Sequence, residues 1–344
     1  MKNKWQIFWL VLFIIGIVSW ISVFIWGDSQ RAFRLLLVNF LYFGSLASGL
    51  IIWPAAVIAS RGTWLKRLNV SAFSAIGFGP LILLALIIVF IGARYWAVWM
   101  GNDPKIAAWL NLPFMAARDI IAIIILLILS GLFIFKKRNQ TRKFSGWLIF
   151  IFSIVFSLIG FDLIMPLQKS WVSALFGGYF FISALYIAVA GWCLLSIFQG
   201  TIDDKEQLSD IGKLMLTFCM LTTYFLFSQL FVIWYENIPA ETSYLVPRMN
   251  ITHWPFISIA LIVMVYIGPI GLLIWKDLKY SKIYMSFVSL VILSGMWIER
   301  WWLVMPSLGE KLKFGLSEFT SLLLFISAFA ISITLGKKFI TSNE

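Results

Sequence analysis

Ten long apolar runs divide this chain, near residues 5–26, 33–59, 72–99, 113–135, 144–165, 171–197, 211–235, 254–275, 283–305 and 315–335. A helix needs about 20 apolar residues to cross roughly 30 Å of hydrocarbon, and these runs meet that length. Inside such a medium the backbone groups find no water, so a spanning run must pair them internally as a helix. The expectation is an all-α, polytopic integral membrane protein with ten transmembrane helices. Composition agrees, at 61% hydrophobic and 12% charged residues with a mean hydropathy of +0.95. Soluble domains hold about 45–50% apolar and 25% charged residues. A water-soluble globular protein is excluded.

Pro54 and Pro269 fall inside the second and eighth runs, where neighbouring helices must satisfy the carbonyls they free. The first run follows Lys2 and Lys4 as a signal peptide's would. It is too long for one, and Trp26-Gly27-Asp28 offers no small-residue cleavage site, so it is expected to remain as an anchor.

Basic residues in the loops predict orientation. Seventeen of the 27 Lys and Arg fall on the side of the N-terminus, the even loops and the C-terminal Lys337 and Lys338, and eight on the other. Both termini are therefore expected in the cytoplasm. The net charge of +12 is scattered between apolar runs, which suits topology and contact with anionic lipid rather than nucleic acid. Cys193 and Cys219 lie within runs, with no disulfide framework and no metal-ligand spacing. One histidine, His253, cannot supply the pairs that bis-histidine haems need.

Matching words spaced about 140 residues apart point to an internal repeat, unless tryptophan and proline simply mark the interfaces. Asn111-Leu112-Pro113-Phe114 opens the fourth run and His253-Trp254-Pro255-Phe256 the eighth, an offset of 142. Leu163-Ile164-Met165-Pro166 and Leu303-Val304-Met305-Pro306 close the fifth and ninth, offset by 140, and Trp53 and Trp192 are offset by 139. A shift of four helices preserves direction, so this reads as a parallel duplication. The expected organisation is a peripheral helix in 1–30, four-helix bundles in 31–168 and 169–308, and a peripheral helix with a cytoplasmic tail in 309–344.

Charges within spans cost about 2.5–3.5 kcal/mol each at mid-membrane, so they need a partner or a purpose. Arg118 and Asp119 lie in the fourth run, Asp162 in the fifth, Glu299 and Arg300 in the ninth. At 1.5 Å per residue, Asp162, Arg118 and Glu299 sit about 6, 8 and 10 Å beneath the non-cytoplasmic rim, in one layer. Asp162, Glu299 and Asp119 are candidate proton-relay acids, with Arg118 and Arg300 as charge partners. In the seventh run Tyr224, Ser228 and Tyr235 share one helical face beside Gln229, a surface that could hold a ligand head group or bind helices together. His253 joins these as a polar-face candidate in the following outer loop. Trp96, Trp99, Trp171, Trp254, Trp301 and Trp302 cluster at outer ends, where tryptophan ordinarily anchors the interface.

At these residues the sequence resembles a known family, the ActF subunits of alternative complex III, and more broadly the NrfD/PsrC-type membrane subunits. The matching words begin with Trp109-Leu110-Asn111-x-Pro113-Phe114 with Arg118, then Phe161-Asp162-x-x-Met165 and Trp171-x-Ser173-x-x-Phe176-Gly177-x-Tyr179-Phe180-Phe181. Gly212-Lys213-Leu214, Tyr224-Phe225-x-Phe227-Ser228-Gln229 and Trp234-Tyr235-x-Asn237-x-Pro239 follow. Glu299 with Trp302-Leu303-Val304-Met305-Pro306 completes the set. The chain is short for that family, Glu299 stands where Asp is expected, and Asp119 where an apolar residue is.

The resemblance implies a subunit of a multisubunit quinol oxidoreductase in a prokaryotic inner membrane. It would bind no cofactor of its own, with quinol (menaquinol or ubiquinol) as the substrate. Haem and iron–sulfur clusters would belong to partner cytochrome and iron–sulfur subunits beside a related NrfD-like subunit. Carried over, Asp162 and Glu299 would relay protons with Arg118 as their charge partner. The residues alone also fit a secondary transporter, or a structural anchor whose polar layer only fixes helix packing.

Overall fold

The computed structural model describes residues 2–65, 67–100, 108–136, 140–168, 171–249, 253–310 and 312–342. Of the loop charges used for orientation, Lys66, Lys105, Lys137, Arg138, Lys169 and Lys311 lie outside the described residues. Within them the chain is all-helical, and ten helices are long and apolar enough to cross a membrane. They are α1 (Lys4–Trp26), α2 (Ser29–Ala59), α3 (Leu68–Ile91), α4 (Leu112–Phe135), α5 (Arg142–Leu167), α6 (Phe176–Gln199), α7 (Lys205–Glu236), α8 (Trp254–Ile274), α9 (Lys282–Leu308) and α10 (Leu316–Ser342). The chain is a multi-pass membrane protein.

Short polar side chains start several of the helices, because each first turn leaves backbone N–H groups without carbonyl partners. Asp28 accepts from Arg31 N at 3.0 Å, Asn111 from Phe114 N at 3.3 Å and Thr141 from Phe144 N at 3.3 Å. Asp204 accepts from Gln207 N at 2.8 Å, and Gln207 Oε1 in turn accepts from Asp203 N at 2.9 Å. That cap starts α7 at Lys205 rather than near 211. The expected third span, 72–99, is shifted in the structure. It begins at Leu68 and ends at Ile91, since the chain turns at Gly92 and the Trp96 indole donates back to Val89 O at 2.8 Å. The sixth helix begins at Phe176 rather than 171, after a turn closed by Phe176 N on Ser173 O, and α10 runs on to Ser342.

α2 and α6 form the centre. α2 is buried along its length and packs on α3, α5, α6, α9 and α10, while α6 packs on α2, α5, α7 and α9. Their crossing is close because Gly49 faces Ala188, and a Cβ on Gly49 would lie 2.6 Å from the Ala188 Cβ. One turn on, the rings of Trp53 and Trp192 stack at 6.5 Å. The Trp53 indole donates to Leu185 O and the Trp192 indole to Leu68 O, both at 3.1 Å. The Met165-Pro166 and Met305-Pro306 sequences both lead into a single 3-10 turn. The openings of α4 and α8 differ, since Asn111 caps its helix whereas His253 has a left-handed backbone (φ 66°) and makes no side-chain cap.

α1 is mostly exposed and packs on α10 and the start of α2. α10 approaches α3 closely where a 3-10 turn, Ser74–Phe78, interrupts α3. Cβ atoms on Gly77 and Gly336 would fall 2.3 Å from Ser332 O and 2.1 Å from Ser74 O. At the other end, Arg31 pairs with Glu318 and Arg34 with Glu310, tying the start of α2 to the start of α10 and to the loop before it. Gly49→Leu therefore overfills the α2–α6 crossing and should destabilise the protein by about 1–3 kcal/mol, read as a lower Tm in detergent. Gly44→Ala, where the nearest atom to a new Cβ is 3.9 Å away, should leave Tm unchanged.

Candidate functional site

The charged side chains that the sequence places inside the fourth, fifth and ninth spans collect into two separate groups. The first joins α4 to α5. Arg118 Nε donates to Asp162 Oδ2 at 3.1 Å, and its Nη2 bonds the same oxygen. Trp109 Nε1 donates to Asp162 Oδ1 at 2.9 Å. The guanidinium lies over the Trp109 ring at 3.9 Å and near Phe114 at 5.0 Å, so two aromatic faces cover the cation. Asp162 is fully buried, and its two oxygens are each bonded. Asp119 is also fully buried, lies 3.9 Å from Arg118 Nε, and has beside it the Asp162 carboxyl group rather than an N–H donor for its oxygens. One guanidinium thus serves two carboxyl groups.

The second group joins α6, α8 and α9. Glu299 accepts from the Tyr179 hydroxyl on one oxygen and from Arg300 Nη1 on the other, the latter at 2.7 Å. Arg300 Nη2 donates to Ser183 Oγ at 2.8 Å, and its guanidinium lies 4.3 Å over the Phe180 ring. The Tyr179 hydroxyl also meets that of Tyr266 at 3.0 Å. Glu299, Arg300, Ser183 and Tyr179 are wholly buried, and Tyr266 is 4% exposed.

The local backbone explains why Tyr266 is there. Pro269 has no N–H, so Val265 O loses its partner four residues back, and α8 widens into a π-helical turn over Ile262–Ile267. The freed carbonyls are taken from other helices. Tyr186 OH donates to Val265 O at 3.2 Å, and Cys219 Sγ approaches Val265 O and Tyr266 O at 3.4 and 3.2 Å. Widened turns of this kind recur at functional sites.

The single layer expected from depth is thus divided by partner. Arg118 serves Asp162, whereas the guanidinium on Glu299 is that of Arg300, its neighbour in sequence. Among the described residues no hydrogen bond or ion pair joins the two groups. Phe180 stands between them, under Arg300 on one side and against Gly160 of α5 on the other. Sequence reasoning missed Ser183 and Tyr266 as parts of the site. Tyr179 stood among the resemblance words without a role, and the one signal for Tyr266 was Pro269.

The remaining candidates lie elsewhere. Tyr224 and Tyr235 point out of the body, 63% and 76% exposed, and Ser228 is half-buried between them. Gln229 is buried but donates within its own helix, to Phe225 O at 3.0 Å. His253 is exposed, its ring 6.3 Å from Phe256. None of the five meets Glu299 or Asp162. The outer tryptophans also depart from expectation, since Trp96, Trp171, Trp254, Trp301 and Trp302 are buried. Several anchor polar contacts instead of facing lipid, as where Trp254 donates to Glu310 O at 3.0 Å and Trp302 to Ser258 Oγ at 2.9 Å.

A further buried cation, Arg248, lies in the loop between α7 and α8. It donates to Tyr244 O at 2.6 Å, and to Leu303 O and Ser307 Oγ at 2.9 Å each. It lies over the Tyr244 ring at 3.8 Å. Burial pushes its guanidinium below the usual value while the nearby phenols of Tyr244 and Tyr179 oppose that shift. Carbonyl dipoles here replace a carboxylate partner. Among the described residues no three His, Cys, Asp or Glu side chains come together to hold a metal ion. No protein-family model and no curated protein sequence matches the chain.

Removing Arg118 strands Asp162 in a dry interior, and breaking a buried pair from one side costs about 3–5 kcal/mol. Arg118→Ala should lower Tm sharply in detergent, and adding Asp162→Asn should recover part of the loss. A wild-type Tm in the single variant would show that the pair carries no stability.

Proposed function

We propose that this chain is a membrane subunit of a multisubunit quinol oxidoreductase of the alternative complex III type. It binds no cofactor of its own, sits in a prokaryotic inner membrane and has both termini in the cytoplasm. The observation that carries the reading is the buried line Glu299–Tyr179–Tyr266, held by Arg300 across three helices. The resemblance of the sequence words around Asp162, Tyr179 and Glu299 supports it.

Quinol oxidation releases two electrons and two protons. The electrons pass to iron–sulfur and haem groups of partner subunits, and the protons need acceptors in a place that water does not reach. Glu299 offers a carboxylate. Tyr179 offers a hydroxyl that donates to Glu299 while accepting from Tyr266, so a proton can be handed along by reversing two hydrogen bonds. Arg300 keeps a neighbouring positive charge at the carboxylate, and Ser183 holds the guanidinium in place. In the other group, Asp119 is the relay candidate, because its oxygens are buried without an N–H donor beside the Arg118–Asp162 pair.

The finer architecture is part of the same proposal, with α2–α5 and α6–α9 as tandem bundles related by an axis along the membrane normal. Residues related by the repeat should meet each other on such an axis. Gly49 faces Ala188 and Trp53 stacks on Trp192, each pair 139 residues apart.

Positioned proton transfer typically contributes a factor of about 10²–10⁴ to rate. Glu299→Gln should therefore lower quinol oxidation by the purified complex by at least about tenfold, with subunit composition unchanged on native gels. Unchanged turnover and proton release would remove Glu299 from the site. A chain that purifies without redox subunits and moves solute by itself would overturn the whole reading.

A further inference from the structure

A groove of about 1200 Å³ runs between the α1–α10 pair and the faces of α2, α6 and α9. Its walls are apolar for most of their length, through Leu46, Leu194, Leu293 and Ile326. One end is different. Gln6, Gln199, Lys337, Lys338 and Thr341 line it together, and among the described residues no Asp or Glu does. Gln199 reaches Ser74 Oγ at 3.5 Å and leaves its own Oε1 without a donor. Along α10 the lining extends from Leu322 to Thr341, nineteen residues or about 28 Å at helical rise. That is close to the roughly 30 Å of a hydrocarbon core.

Positive charge gathered at one end of a bilayer-length apolar trough is the complement of one class of molecule. We propose that the groove binds an anionic phospholipid, its phosphate against Lys337 and Lys338 and its acyl chain along α10 toward Ile326. Those eleven residues cover about 17 Å, half the core and hence one leaflet's depth. Lysines at a membrane surface attract anionic head groups by about 1 kcal/mol each, and the acyl chain adds apolar burial. The bound lipid fills the space between α1 and the body, where α1 otherwise has few contacts outside α10 and the start of α2. The site does not depend on the redox reading above, and it would stand if that reading fell.

The test is native mass spectrometry of the full chain in detergent, titrated with dioleoyl-phosphatidylglycerol or dioleoyl-phosphatidylcholine. The expected result is one phosphatidylglycerol retained per chain, and retention of phosphatidylcholine at least tenfold weaker. Lys337→Gln/Lys338→Gln should lose that preference while keeping the wild-type Tm in lipid-free detergent. Ser294→Trp, which narrows the apolar part and leaves both lysines in place, should weaken binding of both lipids. Equal retention of the two lipids by the wild type, or an unchanged preference in the double-lysine variant, would overturn the proposal. So would a partner-subunit peptide cross-linked to Trp5 or Trp9 within the groove in the native membrane.

Discussion

A carbonyl freed within hydrocarbon has no water to meet, and the arrangement of the second polar group follows from that. Pro269 removes one N–H from α8, and the turn before it opens. Tyr186 and Cys219 enter from α6 and α7 to satisfy the exposed oxygens. The same opening places Tyr266 against Tyr179, and through it against Glu299. A backbone defect and its repair thus bring four helices to one point. A straight α8 would have kept its own hydrogen bonds and would have had no reason to gather those hydroxyls.

Charge is handled differently on the two sides of the α5–α6 contact. Arg118 and Asp162 come from separate helices, so their pairing joins α4 to α5, and aromatic rings cover the exposed face of the cation. Glu299 and Arg300 are neighbours on α9, so their pairing joins nothing by itself. The linkage comes from Tyr179 and Ser183 on α6. Arg248 shows a third solution, a buried cation held by carbonyl dipoles and two aromatic faces. The protein therefore buries guanidinium groups wherever flat hydrogen-bonding geometry and ring stacking can replace hydration.

Much of the fold was legible beforehand. Ten apolar runs became ten helices because hydrocarbon admits few alternatives. The ends were less legible. The third helix stops at Ile91 because Trp96 folds back on Val89, and α7 starts early because Asp204 and Gln207 cap it. Both are contacts between particular side chains that hydropathy does not register. In the site, the buried charged residues could be named from sequence, since an ion inside an apolar run is conspicuous. Their neutral partners could not. Ser183 and Tyr266 look ordinary among apolar residues, whereas Tyr224 and Tyr235 look significant but point outward.

Sequence by itself determined that this chain folds into membrane-length apolar helices and where along them its rare internal charges lie. Length, hydropathy and rise per residue suffice for that, because they are properties of each segment taken alone. Tertiary structure decided which acid meets which base, that Asp119 lies beside the Asp162 carboxyl group, and that a π turn joins two phenols to Glu299. Those outcomes depend on the rotation of each helix about its axis and on which neighbour it faces. A turn of about 100° per residue moves a side chain from lipid to core, and only packing between helices sets that angle.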